Sequence, residues 1–236
     1  MIPDQVMNLF ERLVSEAREK AKDEMTLKMI QWKVDHTWRV VETGREILEG
    51  EDGQDWDKGR AMSAFLLHDV GRFAQALLGS YSDKTTGVNH AFLGAEMLGK
   101  AGFKDKEIIE AVHDHSLPVY EGPNVYTKLV KDADQLTIVG EEYQLERLPE
   151  QKIASEDVLK TIEKGIKLDT AISVGRIDQL LAYWNWKKFL YFKTSKKIFQ
   201  NRKYDEMLLT KLRSIDSSGK TEKWLRKRTD LLSTAV

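Results

Sequence analysis

The chain of 236 residues contains no cysteine and only four prolines. The lack of cysteine excludes disulfide bonds, zinc sites with thiolate ligands and catalysis by a cysteine nucleophile. Because proline interrupts helices, its scarcity leaves most of the chain free to form them. The chain also lacks an apolar run of the ~20 residues that a membrane-spanning helix needs. Residues 1–20 hold several acidic side chains, unlike a signal peptide. We therefore expect a cytoplasmic protein.

An excess of charge of one sign is also missing, since 37 basic residues balance 38 acidic ones and leave a formal net charge of −1. This balance gives no bulk attraction to nucleic acid or to a membrane surface. One basic stretch, 220–228, is interpreted as a solvated terminal helix, so nucleic acid is not expected as a partner. Apolar residues make up 41% of the chain and charged residues 32%, as in an ordinary globular protein.

Apolar residues recur with helical spacing, and no segment alternates as a β-strand does. We predict an all-α fold in which residues 1–236 form a single domain. Residues 141–163 are expected to form a connecting region and one surface helix. From residue 172 onward, apolar and aromatic residues predict two long helices that pack on the domain, and a homodimer contact is the alternative use of this stripe. The helices predicted before residue 140 cover 6–25, 27–48, 61–69, 90–98, 106–115 and 125–136.

The helix predicted over 61–69 has almost no polar surface until it ends in the adjacent pair His68 and Asp69. A helix that is apolar all round is buried on most sides. A His-Asp pair at its end is therefore costly unless both groups are satisfied. A metal ion satisfies both, since it takes a neutral imidazole and a carboxylate as ligands. The pair predicts a metal site at the end of this helix.

All five histidines lie in the first half of the chain, and none follows residue 115. Taken alone, His36 fits a hydrogen-bonded core residue and His90, behind the predicted N-cap Asn89, fits a surface residue. Their concentration in helices with an apolar face instead favours a shared site. His113 and His115 point in opposite directions on a helix. His115 continues the apolar face, whereas His113 is expected to be partly solvated.

Two aspartates follow in the helix predicted over 125–136. Asp132 lies on the apolar stripe, and Asp134 is expected to point the other way. A lone aspartate on an apolar face needs a cation or a helix N-terminus as its partner. Six ligands exceed what one catalytic ion normally uses, whereas two ions bridged by Asp69 would use them all. The candidate ligands are His36, His68, Asp69, His90, His115 and Asp132.

The order of these residues resembles that of the HD superfamily of metal-dependent phosphohydrolases. His36 begins the sequence His-Thr-Trp-Arg-Val, and the signature pair stands in the typical setting Leu-Leu-His-Asp-Val-Gly-Arg. A His-x-x-x-Gly-Ala segment begins at His90, and Asp132 closes the set in Val-Lys-Asp-Ala-Asp. The resemblance covers residues 25–140, the expected core. Residues 141–236 would be a C-terminal helical extension, more loosely similar to small bacterial members of unassigned substrate.

The resemblance implies a helical bundle with a central metal site, in which a metal-activated water hydrolyses a phosphate ester. The enzyme would be a phosphomonoesterase or phosphodiesterase, and Asp69, as the bridging ligand, would be catalytic. Iron or manganese is expected, with zinc, magnesium, nickel or cobalt as alternatives. The resemblance assigns a first ion to His36, His68, Asp69 and Asp132, and a second to Asp69, His90 and His115. Binding of a single ion is the alternative.

Departures from better-known branches of the family narrow the expected substrate. The segment 121–123 is Glu-Gly-Pro and not the Gly-Tyr-Pro of cyclic dinucleotide phosphodiesterases. Val-Gly-Arg follows the His-Asp pair where alarmone hydrolases have an acidic pair, and the histidine-rich signature of deoxynucleotide triphosphohydrolases is absent. A nucleotide or another small phosphate ester is therefore the expected substrate and partner. Its selection is expected in the loops 77–88 and 116–124.

Three cations near these motifs are candidates for binding a phosphate group. Arg72, three residues after the His-Asp pair, is the candidate for a catalytic and substrate-binding role, with a surface salt bridge as the alternative. Lys84 and Lys131 are further substrate-binding candidates. Tyr81 and Asp83 could line the site from their loop, although loop residues of these types often have no specific role.

Two other functions fit the same ligands. A few HD proteins hold two irons on this set and oxygenate an inositol or a phosphonate. A non-catalytic regulatory protein could instead keep the metal for structural reasons. The full ligand set opposes the second alternative, because structural metal sites tend to be closed.

Overall fold

The computed structural model describes residues 1–51, 54–140 and 176–227. Every regular element in these ranges is a helix and no β-strand occurs in them, so the all-α prediction is confirmed. The chain divides into two compact units, Met1–Thr137 and Ile138–Val236. Among the described residues, no helix has both the length and the apolar character needed to cross a bilayer.

The helices that begin in the first unit follow the predicted pattern closely at their apolar faces. Their bounds are α1 (Asp4–Lys20), α2 (Glu24–Gly50), α3 (Lys58–Leu67), α4 (Gly71–Leu77), α5 (Asp83–Thr86), α6 (His90–Lys100), α7 (Lys106–Asp114) and α8 (Val125–Gly140).

Side-chain caps fix where several of these helices begin. The Asp23 carboxylate accepts a hydrogen bond of 2.7 Å from the backbone N of Thr26 at the start of α2. Asn89 accepts bonds from the first turn of α6, as its position in the sequence predicts. Asp105 does the same for α7. These caps satisfy backbone donors that the first turn leaves free. They also fix the helix starts from which the site is built.

Two glycines allow the helices that carry the site to approach each other. Gly44 of α2 lies against the ring of Phe65 in α3, and a Cβ at position 44 would overlap that ring. The close approach brings the rings of His36 and His68 to a centroid separation of 5.7 Å. Gly71 begins α4 against the backbone at the start of α6, where an added Cβ would overlap the carbonyl group of His90. A side chain at either position would push apart the elements that meet at the site.

The segment predicted as a loop, 77–88, differs from the prediction in one respect. It contains the single-turn helix α5, which Ser82 caps by accepting a hydrogen bond of 3.1 Å from the backbone N of Thr85. The sequence pattern predicted a helix that ends at Asp69 and assigned no element to residues 70–76. The structure has a turn at 68–70 and the helix α4 after it.

The described part of the second unit consists of short helices. They are α9 (Arg176–Trp186), a 3₁₀ turn (Lys187–Phe189), α10 (Lys193–Asn201), α11 (Tyr204–Ile215) and α12 (Lys220–Arg226).

The prediction of two long helices is wrong for this part of the chain. The backbone is extended at Leu190 and Phe192 and left-handed at Lys203 and Gly219, and these non-helical residues separate successive helices. The connecting region and surface helix predicted over 141–163 lie outside the described residues. That the C-terminal extension forms one domain with the residues before it stays a prediction.

Candidate metal centre

Six buried or nearly buried side chains converge in the first unit. One comes from the middle of α2, two from the turn after α3, one from the first residue of α6, one from the turn after α7 and one from α8. They are His36, His68, Asp69, His90, His115 and Asp134.

The carboxylate of Asp69 lies at the centre of this group, and its two oxygens face different histidines. Oδ2 is 3.9 Å from His36 Nε2 and 3.7 Å from His68 Nε2. Oδ1 is 3.6 Å from both His90 Nε2 and His115 Nε2. Within each of these two groups, the possible ligand atoms lie within 4.8 Å of one another. We call His36, His68, Asp69 and Asp134 the first cluster, and Asp69, His90 and His115 the second cluster.

Backbone carbonyl groups orient two of the imidazoles. His68 Nδ1 lies 2.8 Å from the carbonyl oxygen of Phe65, and His115 Nδ1 lies 2.7 Å from that of Val112. Because a carbonyl can only accept, each Nδ1 carries the proton and each Nε2 presents its lone pair toward Asp69. His68 Nε2 is buried and has no hydrogen-bond partner among the described residues. An unpaired, buried lone pair is what a metal ligand needs in the metal-free protein.

A carboxylate orients a third imidazole. Asp83 of α5 accepts from His90 Nδ1, with 3.0 Å to Oδ1 and 3.1 Å to Oδ2. The same carboxylate also accepts from Gln75 Nε2 at 2.7 Å and lies 3.3 Å from Arg72 Nη1. Asp83 therefore directs His90 Nε2 toward the second cluster, a role that its loop position could not indicate.

The predicted orientation of the two aspartates in α8 is wrong. Asp134 Oδ1 lies 3.0 Å from His36 Nε2 and 3.8 Å from His68 Nε2, so Asp134 points into the site. Asp132, two residues earlier, lies roughly 200° around the helix from it. Asp134 therefore replaces Asp132 as the candidate ligand. The apolar stripe led to the wrong prediction because α8 is buried on almost all sides. Apolar neighbours therefore do not identify the face of this helix that contacts the site.

Two cations contact the central carboxylate. Lys33 Nζ lies 2.6 Å from Asp69 Oδ2, and both side chains are buried. Arg72 Nε lies 3.5 Å from Asp69 Oδ1. The Arg72 guanidinium also donates to Gln75 Oε1 at 2.7 Å and to the backbone carbonyl of Tyr81. Lys33 was missed by sequence reasoning, although an ionic residue on an otherwise buried stripe, one turn before His36, was the available signal.

Burial and these neighbours set the protonation states that a divalent cation requires. Burial raises the pKa of Asp69, but the Lys33 ammonium, acting together with His68, His115 and Arg72, holds that pKa well below the ordinary value. Burial lowers the pKa of His68 to about 4, and burial together with the Arg72 guanidinium lowers that of His90 to about 4. At neutral pH the centre therefore offers the ionised carboxylate of Asp69 and the neutral imidazoles of His68 and His90.

The other predicted phosphate-binding residues lie in different settings. Lys131 is 1% exposed, and its Nζ donates to the carbonyl oxygen of His115 at 2.9 Å and to that of Leu117. The ammonium therefore stabilises the turn that carries His115, and a direct contact with substrate is not supported. Burial lowers the pKa of Lys131 to about 8. Lys84 is exposed on α5, and its substrate-binding role stays a prediction.

His113 lies outside both clusters. Its side chain is 46% exposed, its ring stacks on Phe92 with centroids 4.1 Å apart, and its Nδ1 lies 2.6 Å from Asp114 Oδ1. The prediction that His113 is partly solvated is therefore confirmed.

The donor set of the two clusters fits divalent metal ions. Each cluster combines imidazole nitrogens with carboxylate oxygen, the mixture that suits first-row transition metals. The bridging position of Asp69 would let one carboxylate serve two ions.

No curated protein and no solved structure matches this chain. Residues 34–138, which contain all six converging side chains, match the HD domain family model. This match identifies residues 34–138 as a domain of the HD superfamily, whose members are metal-dependent hydrolases.

Proposed function

We propose that this protein is a phosphohydrolase that cleaves a small phosphate ester, such as a nucleotide, with the help of divalent cations. The observation that carries the proposal is the division of the Asp69 carboxylate between two groups of buried histidines. A closed structural metal site uses all its ligands on one ion. A carboxylate shared by two groups is instead typical of hydrolytic centres that act on phosphoryl oxygens with a pair of ions.

The charge of the centre supports an anionic substrate. Imidazoles bind a metal ion in their neutral form, so the six candidate ligands of a loaded centre would carry only the two negative charges of Asp69 and Asp134. Two divalent cations would reverse this sign and leave a positive centre inside a low-dielectric environment. Lys33 and Arg72 add two positive charges close by, against one negative charge on Asp83. A phosphate group is the small anion that such a centre attracts most strongly.

The chain's own residues would hold and orient the reacting groups. Divalent ions in such centres supply charge neutralisation and a water of lowered pKa. Asp69 and the imidazoles would hold the ions, and the backbone carbonyls of Phe65 and Val112 keep two imidazoles in place. Arg72, at the Asp69 Oδ1 side of the centre, remains the proposed contact for the phosphate. Manganese or iron is the proposed metal, with zinc, magnesium, nickel or cobalt as alternatives.

Access to the centre supports a role for the segment 77–88 in substrate selection. Asp134 is 19% exposed and Arg72 16%, so solvent reaches the first cluster and the cation beside the second. Tyr81 and Asp83 contact Arg72 and His90 from this segment. A substrate that enters here would meet the segment before it meets the ligands.

Metal analysis combined with phosphate release tests the proposal. We expect the purified protein to contain a divalent metal and to release phosphate from at least one compound in a panel of nucleotides and generic phosphoesters with added Mn²⁺. The variant Asp69→Ala, with Asp69→Asn as a second version of similar volume, should lose the metal and lower turnover at least about a hundredfold. Asp35→Ala is the matched control, because Asp35 is exposed on α2 and accepts from Gln31.

Two other outcomes would contradict the proposal. Two bound irons with oxygen consumption and no phosphate release would indicate an oxygenase. Turnover that survives Asp69→Asn with the metal gone would show that the centre is not where phosphate is released.

A further inference from the structure

The ammonium of Lys33 contacts Asp69 Oδ2, the oxygen that a cation bound by the first cluster would also contact. It lies on α2 one turn before His36, is 7% exposed, and places Nζ 2.6 Å from Asp69 Oδ2. The same oxygen faces His36 and His68 at 3.9 and 3.7 Å. The ammonium therefore neutralises the carboxylate from the side of the first cluster.

Two aromatic rings also lie close to the ammonium. Lys33 Nζ lies 4.8 Å from the ring centroid of Trp32 and 5.5 Å from that of Tyr81. The rings of Trp32 and Tyr81 are themselves 5.5 Å apart, and Trp32 stacks on His36. Aromatic faces attract an ammonium without neutralising it. They would keep the ammonium beside the cluster even when Asp69 is taken by another cation.

We propose that Lys33 is an exchangeable charge partner, which neutralises Asp69 in the metal-free protein and binds the phosphoryl group of the substrate once a cation takes Asp69 Oδ2. The inference rests on the proposed function, since it requires both a cation and a phosphate. It assigns to Lys33 the recognition of the anionic part of the substrate on the side of the first cluster. Arg72 would serve the same purpose on the side of the second.

Electrostatics in a buried site makes the exchange favourable. A divalent cation and an ammonium on one carboxylate oxygen repel each other, and little water is present to screen them. An ammonium that has lost its carboxylate is in turn costly to keep buried unless another anion pairs with it. A phosphate supplies that anion. Binding of the cation and binding of the phosphate should therefore strengthen each other, and Lys33 should be the residue that couples them.

Replacing the charge of Lys33 separates this role from a structural one. In Lys33→Met, we expect Mn²⁺ to bind about tenfold more tightly and inorganic phosphate to bind the Mn²⁺-saturated protein about tenfold more weakly. Both affinities would be measured by titration calorimetry. Lys33→Gln, which keeps a hydrogen-bond donor, should shift both affinities in the same directions and replaces methionine if that variant does not fold. Lys33→Arg keeps the charge and should retain phosphate binding.

A matched control lies on the same helix. Lys28 is exposed on α2 and pairs with Glu24 at 2.8 Å, so Lys28→Met should change neither affinity. If Lys33 only orients Asp69, its removal would weaken Mn²⁺ binding, and that result would overturn the inference. Unchanged phosphate affinity in Lys33→Met would overturn it as well, while leaving the proposed hydrolase intact. A wild-type protein that binds no Mn²⁺ or other divalent metal would instead remove the proposed function, and the exchange with it.

Discussion

The two clusters share Asp69 but are built from different parts of the fold. The first cluster takes His36 from the middle of α2 and Asp134 from within α8, which are long helices with many packed neighbours. The second cluster takes His90 and His115 from the first residue of α6 and the turn after α7. Side chains within helices are held by both flanking turns, whereas those at helix ends depend on the segments that adjoin them.

The two clusters differ in the charge of their side chains as well as in how firmly the helices hold those side chains. The first cluster has two carboxylates, and the second has only the shared one. Each cluster also has one cation beside it, Lys33 at Asp69 Oδ2 and Arg72 near Oδ1, so the neighbouring cations do not favour the second cluster. From both differences we expect the first cluster to bind a divalent ion more tightly. The second should fill at higher metal concentration and depend on Asp83 for the orientation of His90.

The largest loss of metal affinity is expected from a substitution that disrupts the first cluster alone. Asp134→Asn should weaken binding of the tighter ion at least about a hundredfold, because it deletes a direct charged ligand while keeping the side-chain volume. Asp132→Asn is the matched variant two residues away, and we expect it to retain that ion. Metal titration followed by elemental analysis measures both. The reverse pattern, with Asp132→Asn losing the ion, would contradict the assignment of Asp134.

The sequence pattern was sufficient to predict most of the side chains that converge at the centre, because they lie where a simple rule applies. His36 stands on a buried stripe, and His68 and Asp69 end an apolar helix. His90 and His115 lie at helix ends with clear start and stop signals. The structure brings these five side chains together, with Asp69 between the other four. The rule works where a polar residue interrupts an apolar face, since burial then demands a partner.

The same rule failed where burial does not distinguish one face from another. On α8 both Asp132 and its apolar neighbours are buried, and the residue that faces the site, Asp134, is the more exposed one because the cluster opens toward solvent there. Asp83 lies in an irregular segment without periodicity, so only the fold shows its contact with His90. Lys33 lies on the buried stripe of α2 that also carries His36, but its partner Asp69 lies 36 residues further along the chain.

A smaller effect concerns the stability of the metal-free protein, in which the two clusters should behave alike. Each contains one imidazole, His68 or His90, whose pKa is lowered to about 4 mainly by burial, against an ordinary value of 6.5. Between these pH values the unfolded chain binds protons that the folded chain does not. The free energy of unfolding should therefore fall as the pH drops from 6.5 toward 4, by on the order of 3 kcal/mol for each of the two imidazoles.

Denaturant unfolding in the presence of a chelator measures this dependence. Replacing His113, the exposed histidine outside both clusters, by alanine should leave its slope unchanged. A free energy of unfolding that stays flat between pH 6.5 and 4.5 would show that the buried imidazoles ionise as freely in the folded protein as in the unfolded chain.

The smallest expected effect tests the dependence of the second cluster on its adjoining segment. Asp83→Asn should weaken binding of the second ion about tenfold, because an amide orients the His90 imidazole less strongly than a carboxylate and makes it a poorer donor of its Nε2 lone pair. The first ion should be unaffected, since Asp83 contacts no imidazole of the first cluster among the described residues. Calorimetric titration with Mn²⁺ separates the two binding steps. Asp114→Asn, next to the solvated His113, is the control. Equal weakening of both ions in Asp83→Asn would mean that the segment 77–88 supports the whole centre, and the contrast between a self-supported first cluster and a segment-dependent second one would be lost.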